Sequence, residues 1–399
     1  MTSRQGVLGR QGLLGEAVDR IGGEPISARM ARKAPLRHLD LSLLTISVLL
    51  AAYGVVMVYS ATVHRQQEAG LDETLFLKRQ LVYAMAGVLV LFVMSTFDYR
   101  HLKGFSPFVY GATIIGLLIV LTPLGEVQKG ASRWIDLGAF QMQPSELAKI
   151  ALIITVSAYL TERMEEVRVR DIAVCLALAA FPMFLIFLEP DLGTTMVFVA
   201  LTATLLLIGG AKIRHFIALG ILGLFAILLA LQLGALEDYQ VQRITAFLDP
   251  NPDVRSVGYN LTQSKIAIGS GGFRGKGIGG ENTQTSLDFV PEQHTDFIFT
   301  AVGEQLGFVG SATLLGLFAF LLWRAIRIAT MARDLFGVLL ATGCAALWAF
   351  QLFVNIGMTM GIMPITGIPL PFISFGGSSL LTNFAAVGLL MNIHMRRFL

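Results

Sequence analysis

Charged residues, cysteines and histidines are all scarce in this chain. Asp, Glu, Lys and Arg make up 14% of the 399 residues, against roughly 25% in soluble domains. The net charge of +3 is too small to indicate a nucleic-acid-binding surface. The only two cysteines, Cys175 and Cys344, fall inside apolar stretches, so no disulfide framework is predicted. Six histidines without a cluster do not supply the ligands of a structural zinc site.

Two further absences narrow the class of protein. Residues 1–40 contain no apolar run of the kind that forms a signal-peptide core. They are rich in Arg and Gly and are interpreted as a cytoplasmic N-terminal tail. We find no internal sequence repeat, which counts against the repeat-built transporters.

Hydrophobic residues, by contrast, make up 54% of the chain. About ten apolar stretches are long enough to cross a hydrocarbon core of roughly 30 Å. The sequence therefore predicts an all-α integral membrane protein with about ten transmembrane helices, forming one domain over residues 41–399. The predicted spans lie near 41–61, 78–96, 105–124, 145–160, 171–189, 191–209, 215–236, 296–323, 335–360 and 376–394.

Lys and Arg residues alternate between the connections, and cytoplasmic connections carry the excess of positive charge. This pattern predicts that both termini are cytoplasmic. Three longer connections then face outward: 125–144, 237–295 and 361–375. The second, the large extracytoplasmic loop, precedes the eighth span. The cytoplasmic basic groups are Arg29/Arg32/Lys33/Arg37, Arg100/Lys103, Arg163/Arg168/Arg170, Lys212/Arg214, Arg324/Arg327/Arg333 and Arg396/Arg397.

Asp296 marks the point where this loop re-enters the membrane, within the sequence DFVPEQHTDFIFTAVGE of residues 288–304. An ionisable group at the edge of hydrocarbon is costly and indicates a functional site. On a continuous helix, Asp296 would share one stripe with Thr300 and three glycines, at 303, 307 and 310. We therefore expect the acid to face another helix or a cavity rather than lipid. His294, two residues earlier, does not form a metal site with Asp296 by spacing.

Glu146 and Lys149 begin the fourth span in the sequence QPSELAK, residues 143–149. Their spacing places them on one face of a helix, where they can form an ion pair. Such a pair at the start of a span predicts a polar, outward-open cavity. Helix capping explains Pro144 and Glu146 equally well, and Trp134 fits an interfacial aromatic belt.

The loop 237–295 contains GSGGFRGKGIGG at residues 269–280. Its glycines, with the nearby Lys265, Arg274 and Lys276, predict a mobile cover that binds an anionic head group. A plain flexible linker fits the same composition. Basic residues on the predicted outer side run against the orientation rule, which favours an anionic lipid-linked substrate. They are Lys129, Arg133, Lys149, Lys265, Arg274 and Lys276.

The third outward connection, GIMPITGIPLPFISFGGSS at 361–379, has three prolines between two spans. Non-helical backbone at membrane depth is buried or lines a cavity. Its serines, Ser374, Ser378 and Ser379, are placed either to donate to a ligand or to satisfy freed carbonyls.

Four motifs in this order, QPSELAK, PDLGTT at 190–195, PEQHTDFIF at 291–299 and GIMPITGIPLPFISFGGSS, closely resemble the SEDS family of RodA and FtsW proteins. The resemblance covers nearly all of residues 41–399. The run from Met363 to Pro371 resembles the elongation-type members, whereas division-type members carry a different run there. The 1–40 tail is longer than is expected of a minimal elongation-type member, and no family feature is carried over onto it.

The resemblance implies a peptidoglycan glycosyltransferase that joins lipid II units through inverting β-1,4 linkages at the outer face of the cytoplasmic (inner) membrane. It implies roles in cell elongation and rod shape, with a class B penicillin-binding protein and the elongation machinery as partners. Asp296 matches the family's catalytic aspartate, the expected general base for the acceptor hydroxyl. Positive charge for the leaving pyrophosphate is expected from basic side chains, with room for a divalent cation, Mg²⁺ or Mn²⁺. The expected substrate-binding residues are Trp134, Arg133, Gln143, Glu146, Lys149, Lys265, His294, Ser374 and Ser378.

Two other functions remain compatible with many spans and buried polar groups. A lipid II flippase would use polar residues at mid-membrane depth, whereas the candidates here cluster near one face. A non-catalytic scaffold for the penicillin-binding protein would leave Asp296 unexplained. Polymerisation of lipid II by the purified protein discriminates these functions from the enzyme.

Overall fold

The computed structural model describes residues 38–397, apart from 129–130, 137, 139, 164–166, 233–256, 281–282 and 288. The predicted tail is therefore almost wholly outside the described residues, as are Lys129 and the first part of the loop, 237–256. Within the described residues the chain forms eleven helices and one small sheet. The helices are α1 (Leu41–Glu68), α2 (Leu75–Thr96), α3 (Tyr99–Val120), α4 (Pro144–Thr161), α5 (Val169–Leu188), α6 (Leu192–Ile208), α7 (Ile213–Gln232), α8 (Val257–Ser270), α9 (Ile298–Thr330), α10 (Leu335–Met360) and α11 (Gly377–Arg396).

Ten of these helices coincide with the ten predicted spans, and α8 lies inside the predicted loop. Among the described residues, six helices are long and apolar enough to cross a membrane: α1, α2, α3, α5, α9 and α10. Helix α6 and the first part of α7 are shorter apolar segments. The prediction of a helical, multi-pass membrane protein is confirmed.

Helix α4 lies at the centre of the bundle. It packs against α3, α5, α6, α10 and α11, and nearly all of its residues are buried. Helices α2 and α3 lie at the side of the bundle, and their apolar side chains are largely exposed on its surface. A helix buried on all sides explains why the chain tolerates an ion pair within α4: the surrounding helices shield both charges from lipid.

A three-stranded antiparallel sheet joins α3 to α4, in the order β1 (Gly125–Gln128), β2 (Ala131–Asp136), β3 (Gln141–Met142). No sequence pattern predicted this sheet. Strand β2 contacts α3 and α4, so the sheet lies over the start of α4. It carries Arg133 and Trp134 there, and Trp134 pairs with Glu126 across β1 and β2.

Helix α9 is broken at Gly307, whose backbone has φ 61° and ψ −155°. The glycine-rich segment 271–277 fills the break. Its carbonyls at Gly272 and Phe273 accept hydrogen bonds from the amides of Phe308 and Val309 at 2.9 and 3.1 Å. The break therefore has an identifiable cause, because a second segment of backbone satisfies the groups that the helix leaves unpaired.

Candidate active site

Asp296 lies in the turn immediately before α9, half-buried. The prediction that it shares a helical stripe with Thr300 and the three glycines is wrong in its geometry. Helix α9 begins only at Ile298, and the left-handed backbone of Gly307 interrupts the helix further on. The carboxylate instead lies beside Gly367 of the α10–α11 connection. A Cβ placed on Gly367 would be 3.3 Å from Asp296 Oδ2.

Residues 361–376 hold the Asp296 turn in place through its backbone. Phe375 N donates to the carbonyl of His294 at 2.9 Å, and Ser374 Oγ donates to that of Thr295 at 2.6 Å. The imidazole of His294 packs edge-on against Phe76 of α2, with ring centroids 5.2 Å apart. Ser374 and His294, both predicted site residues, are thus brought directly beside Asp296.

Ser378 connects the same region to α4. Its hydroxyl donates to the carbonyl of Gln141 at 3.0 Å and accepts from the amide of Gln143 at 2.9 Å. Gln143 precedes the first residue of α4. The start of α4 and the Asp296 turn are therefore both attached to residues 374–378. Of the two roles open for the serines of this connection, the structure shows hydrogen bonds to backbone groups for Ser374 and Ser378.

Glu146 and Lys149 form the predicted ion pair, with Lys149 Nζ 2.6 Å from Glu146 Oε1. Both residues are almost completely buried, at 2% and 1% exposure. A buried pair of this kind contributes little net stability, but breaking it leaves an uncompensated charge. The predicted pairing is confirmed, and the predicted outward-open cavity stays a prediction.

Arg133 reaches from β2 to the turn between α5 and α6. Its guanidinium donates to the carbonyl of Glu189 at 2.9 Å and to that of Pro190. The adjoining start of α6 packs closely on the α10–α11 connection, since a Cβ on Gly193 would lie 2.7 Å from the carbonyl of Thr366. Arg133 thus holds the turn before α6, and the start of α6 packs on the α10–α11 connection that faces Asp296.

Glu189 in this turn was not predicted as a site residue. It is 1% exposed, and its carboxyl oxygens have no hydrogen-bond partner among the described residues. Burial raises the pKa of Glu189 to about 8, and the nearby Asp191 carboxylate adds to the rise while Arg133 opposes it. The signal was present in the sequence, as an acid directly at the end of an apolar stretch.

Two predicted basic residues lie elsewhere. Lys265 is exposed on α8, and its ammonium end packs at Gly361, where a Cβ would lie 2.6 Å from Nζ. Lys276 pairs with Glu304 of α9 at 2.8 Å. The described contacts do not bring either ammonium to Asp296. Trp134 is half-buried on β2 near the start of α4.

Glu304 organises the glycine-rich part of the loop. It is fully buried, and its carboxylate accepts from the amides of Gln284 and Thr285 at 2.7 and 2.9 Å, as well as from Lys276 and the Thr285 hydroxyl. The segment that the sequence suggested as a mobile cover is thus docked on α9 in this structure. Its mobility with and without substrate stays a prediction.

Asn355 of α10 is the second residue that the sequence analysis missed. It is fully buried, and Nδ2 donates to the carbonyls of Asp296 and Ile368, each at 2.8 Å. A buried amide within an apolar span is a recognisable signal, because polar groups in hydrocarbon are rare and tend to be functional.

Comparison with known proteins agrees with this architecture. The family described as "FTSW_RODA_SPOVE: Cell cycle protein" matches residues 40–398. The chain belongs to this family. The resemblance to SEDS proteins is therefore confirmed over residues 40–398.

Individual relatives cover nearly the whole chain. Stage V sporulation protein E of Bacillus subtilis is 39% identical over 89% of this chain and 96% of its own length. The peptidoglycan glycosyltransferase MrdB of Escherichia coli is 38% identical over 90% and 94%. A probable peptidoglycan glycosyltransferase FtsW of Trichlorobacter lovleyi is 37% identical over 90% and 93%.

Solved structures show the same fold. The rod-shape-determining protein RodA of Thermus thermophilus matches with a TM-score of 0.67 and 30% identity, covering 90% of this chain and 98% of RodA. A chain of a peptidoglycan synthase complex that coordinates polymerization and crosslinking matches with a TM-score of 0.76 and 32% identity, covering 90% and 98%. These relatives confirm the prediction of a glycosyltransferase of the SEDS type.

Proposed function

We propose that this protein polymerises lipid II into glycan strands, with Asp296 as the general base that accepts the proton of the acceptor hydroxyl. The placement of Asp296 carries the proposal. A half-buried acid stands where a polar loop meets a 33-residue helix, and hydrogen bonds fix its backbone from one side. A carboxylate fixed near a hydroxyl acts as a base when its pKa suits the working pH.

The reaction forms one glycosidic bond and breaks one bond to a pyrophosphate. The acceptor hydroxyl oxygen attacks the anomeric carbon, the lipid pyrophosphate leaves with the bond electrons, and Asp296 takes the hydroxyl proton. Attack from the face opposite the leaving group inverts the anomeric centre and gives the β-1,4 linkage.

Positive charge stabilises the developing pyrophosphate. Lys149 holds a buried ammonium paired with Glu146, and Arg133 holds a guanidinium over the α5–α6 turn. Both positive charges therefore lie near the start of α4, and a divalent cation is an additional source. Among the described residues, no cluster of three or more His, Cys, Asp or Glu side chains is placed to hold a metal ion, so such a cation would need the pyrophosphate oxygens as ligands.

The proposed membrane location and orientation rest on the similar proteins and on the sequence. We place the chain in the cytoplasmic membrane, with both termini cytoplasmic and Asp296 on the outer side. The synthase complex among the similar structures supports a crosslinking partner of the class B penicillin-binding protein type. Relatives with sporulation, MrdB and FtsW names match about equally well, at 37–39% identity, and the run Met363–Pro371 supports the elongation role and its machinery.

The test is polymerisation of labelled lipid II by the purified protein, alone and with a class B penicillin-binding protein. Wild type should yield long glycan strands and Asp296→Asn none, while both variants insert and bind the partner equally. Asp72→Asn is the matched control. Asp72 lies between α1 and α2 at the same end of the bundle, is half exposed and pairs with Lys78.

Each alternative function gives a different result. A flippase would move lipid II across vesicles without making polymer, and a scaffold would bind the partner with no activity of its own. Wild-type amounts of polymer from Asp296→Asn would remove this residue from the mechanism.

A further inference from the structure

The Asp296 turn is held by hydrogen bonds to three consecutive carbonyls, those of His294, Thr295 and Asp296. Their donors are Phe375 N, Ser374 Oγ and Asn355 Nδ2, at 2.9, 2.6 and 2.8 Å. The first two donors belong to the irregular α10–α11 connection. The third donor, Asn355, belongs to the regular helix α10, which is largely buried between neighbouring helices.

Asn355 differs from the other two donors because it joins two segments. A primary amide has two N–H bonds to donate. The Asn355 amide directs them at the carbonyls of Asp296 and Ile368, both at 2.8 Å. Gly367, directly before Ile368, is the residue against which the Asp296 carboxylate lies. One planar amide therefore fixes the spacing between the acid and the segment that it faces.

The free-energy cost of burying Asn355 argues against a purely structural role. The side chain is fully buried, and its Oδ1 has no hydrogen-bond partner among the described residues. A buried acceptor without a partner destabilises a fold, and an apolar residue in α10 would avoid that cost. A residue kept at such a cost calls for a further explanation, and the bridge between Asp296 and Ile368 supplies one.

We propose that Asn355 is a positioning residue that holds Asp296 in reach of the acceptor hydroxyl. This inference rests on the proposed function of Asp296 as general base. Because Asn355 contacts the backbone of Asp296 and not the reacting atoms, its loss should misplace the base without removing it. A displacement of about 1 Å at a reacting group lowers a rate by roughly 100-fold.

The experiment compares Asn355→Leu with Gln351→Leu in the purified protein with lipid II. Gln351 is the matched control, since it lies one turn earlier on α10, is 1% exposed, and also has an amide oxygen without a partner. Asn355→Leu should lower the maximal polymerisation rate by about 100-fold, with a half-saturating lipid II concentration within about threefold of wild type. Gln351→Leu should keep the wild-type rate per folded molecule.

A second variant covers the case in which Asn355→Leu does not fold. Asn355→Ser keeps a hydroxyl that can donate within its own helix but is too short to bridge both carbonyls. It should show the same loss of maximal rate at a thermal stability close to that of wild type.

Two sets of outcomes separate this inference from the proposed function. If wild type makes no polymer, or if Asp296→Asn is as active as wild type, the proposed function fails. If those two controls behave as expected and the folded Asn355 variants keep the wild-type maximal rate, or lose no more than Gln351→Leu, the positioning role is overturned and the base stands.

Discussion

The two ends of the helix bundle hold their charged residues in different ways. Where α9 ends, acids are matched by basic side chains on other elements: Asp40 by Arg324, Asp98 by Arg396, Asp334 by Arg100, Asp171 by Arg163 and Glu162 by Lys103. Where α9 begins, Glu146 pairs with Lys149 three residues away, and Glu304 accepts from two backbone amides as well as from Lys276. The carboxyl oxygens of Glu189 have no hydrogen-bond partner among the described residues.

This difference indicates that charges at one end of the bundle contribute to stability and charges at the other end contribute to catalysis. Apart from the largely buried Asp40–Arg324 pair, these ion pairs are open to solvent on at least one side and contribute little stability one by one. Together they favour a water-facing surface at this end of the bundle. The other end removes charges from water and fixes them through short contacts, an arrangement that shifts protonation equilibria and favours catalysis. We expect substitutions at the two ends to separate stability from activity, as follows.

The largest effect is expected for Lys149→Met in the buried pair of α4. The variant leaves the Glu146 carboxylate buried without its cation, and breaking a buried pair costs about 3–5 kcal/mol. Thermal unfolding in detergent should show this loss. The double variant Glu146→Gln with Lys149→Met should recover much of the stability yet stay inactive on lipid II. A Lys149→Met protein as stable as wild type would show that the pair is solvated.

An intermediate effect is expected at the opposite end, for Asp40→Asn. Asp40 and Arg324 are both largely buried, and loss of a hydrogen bond between charged groups costs about 1.5–3 kcal/mol. The free energy of unfolding should fall by this amount, while the polymerisation rate per folded molecule stays at the wild-type value. A fall in that rate would contradict the separation of the two ends.

A third effect, expected for Glu189→Gln, depends on pH. The pKa of Glu189 is raised from 4.5 to about 8, so the folded protein keeps a proton that the unfolded chain releases. The free energy of unfolding contributed by this group therefore falls as pH rises from about 4.5 to about 8. Glu189→Gln should remove this slope and be the more stable protein at pH 8.

Melting curves between pH 5 and pH 8.5 measure that slope. Asp72→Asn is again the control, because hydrogen bonds from Lys78 and Thr74 lower the pKa of Asp72 and place its titration below this range. Equal slopes for wild type and Glu189→Gln would show that the Glu189 carboxylate is exposed to water.

Hydropathy was enough to predict ten helices at the positions of the apolar stretches, because apolar stretches of that length have few other solutions. It did not predict the strands from Gly125 to Met142 or helix α8, whose sequences are mixed in polarity. Spacing predicted the contact between Glu146 and Lys149, since residues that are three positions apart on a helix lie next to each other on its surface.

Contacts between distant parts of the chain could not be predicted from the sequence. The stripe drawn through Asp296 and Gly307 assumed an unbroken helix, and only the docked segment 271–277 shows why α9 breaks. Asn355 was missed for the same reason. Its partners, Asp296 and Ile368, come together through the fold and not through any local pattern.

The docking of the glycine-rich segment on α9 has a genetic consequence. A Cβ at Gly271 would lie 1.9 Å from the carbonyl of Gly303, and one at Gly275 would lie 2.2 Å from that of Gln305. Every amino acid that a single-base change can introduce at a glycine codon carries a Cβ. In a mutant library selected for growth, these two codons should therefore retain glycine as strictly as the Asp296 codon retains aspartate, although they encode no functional group.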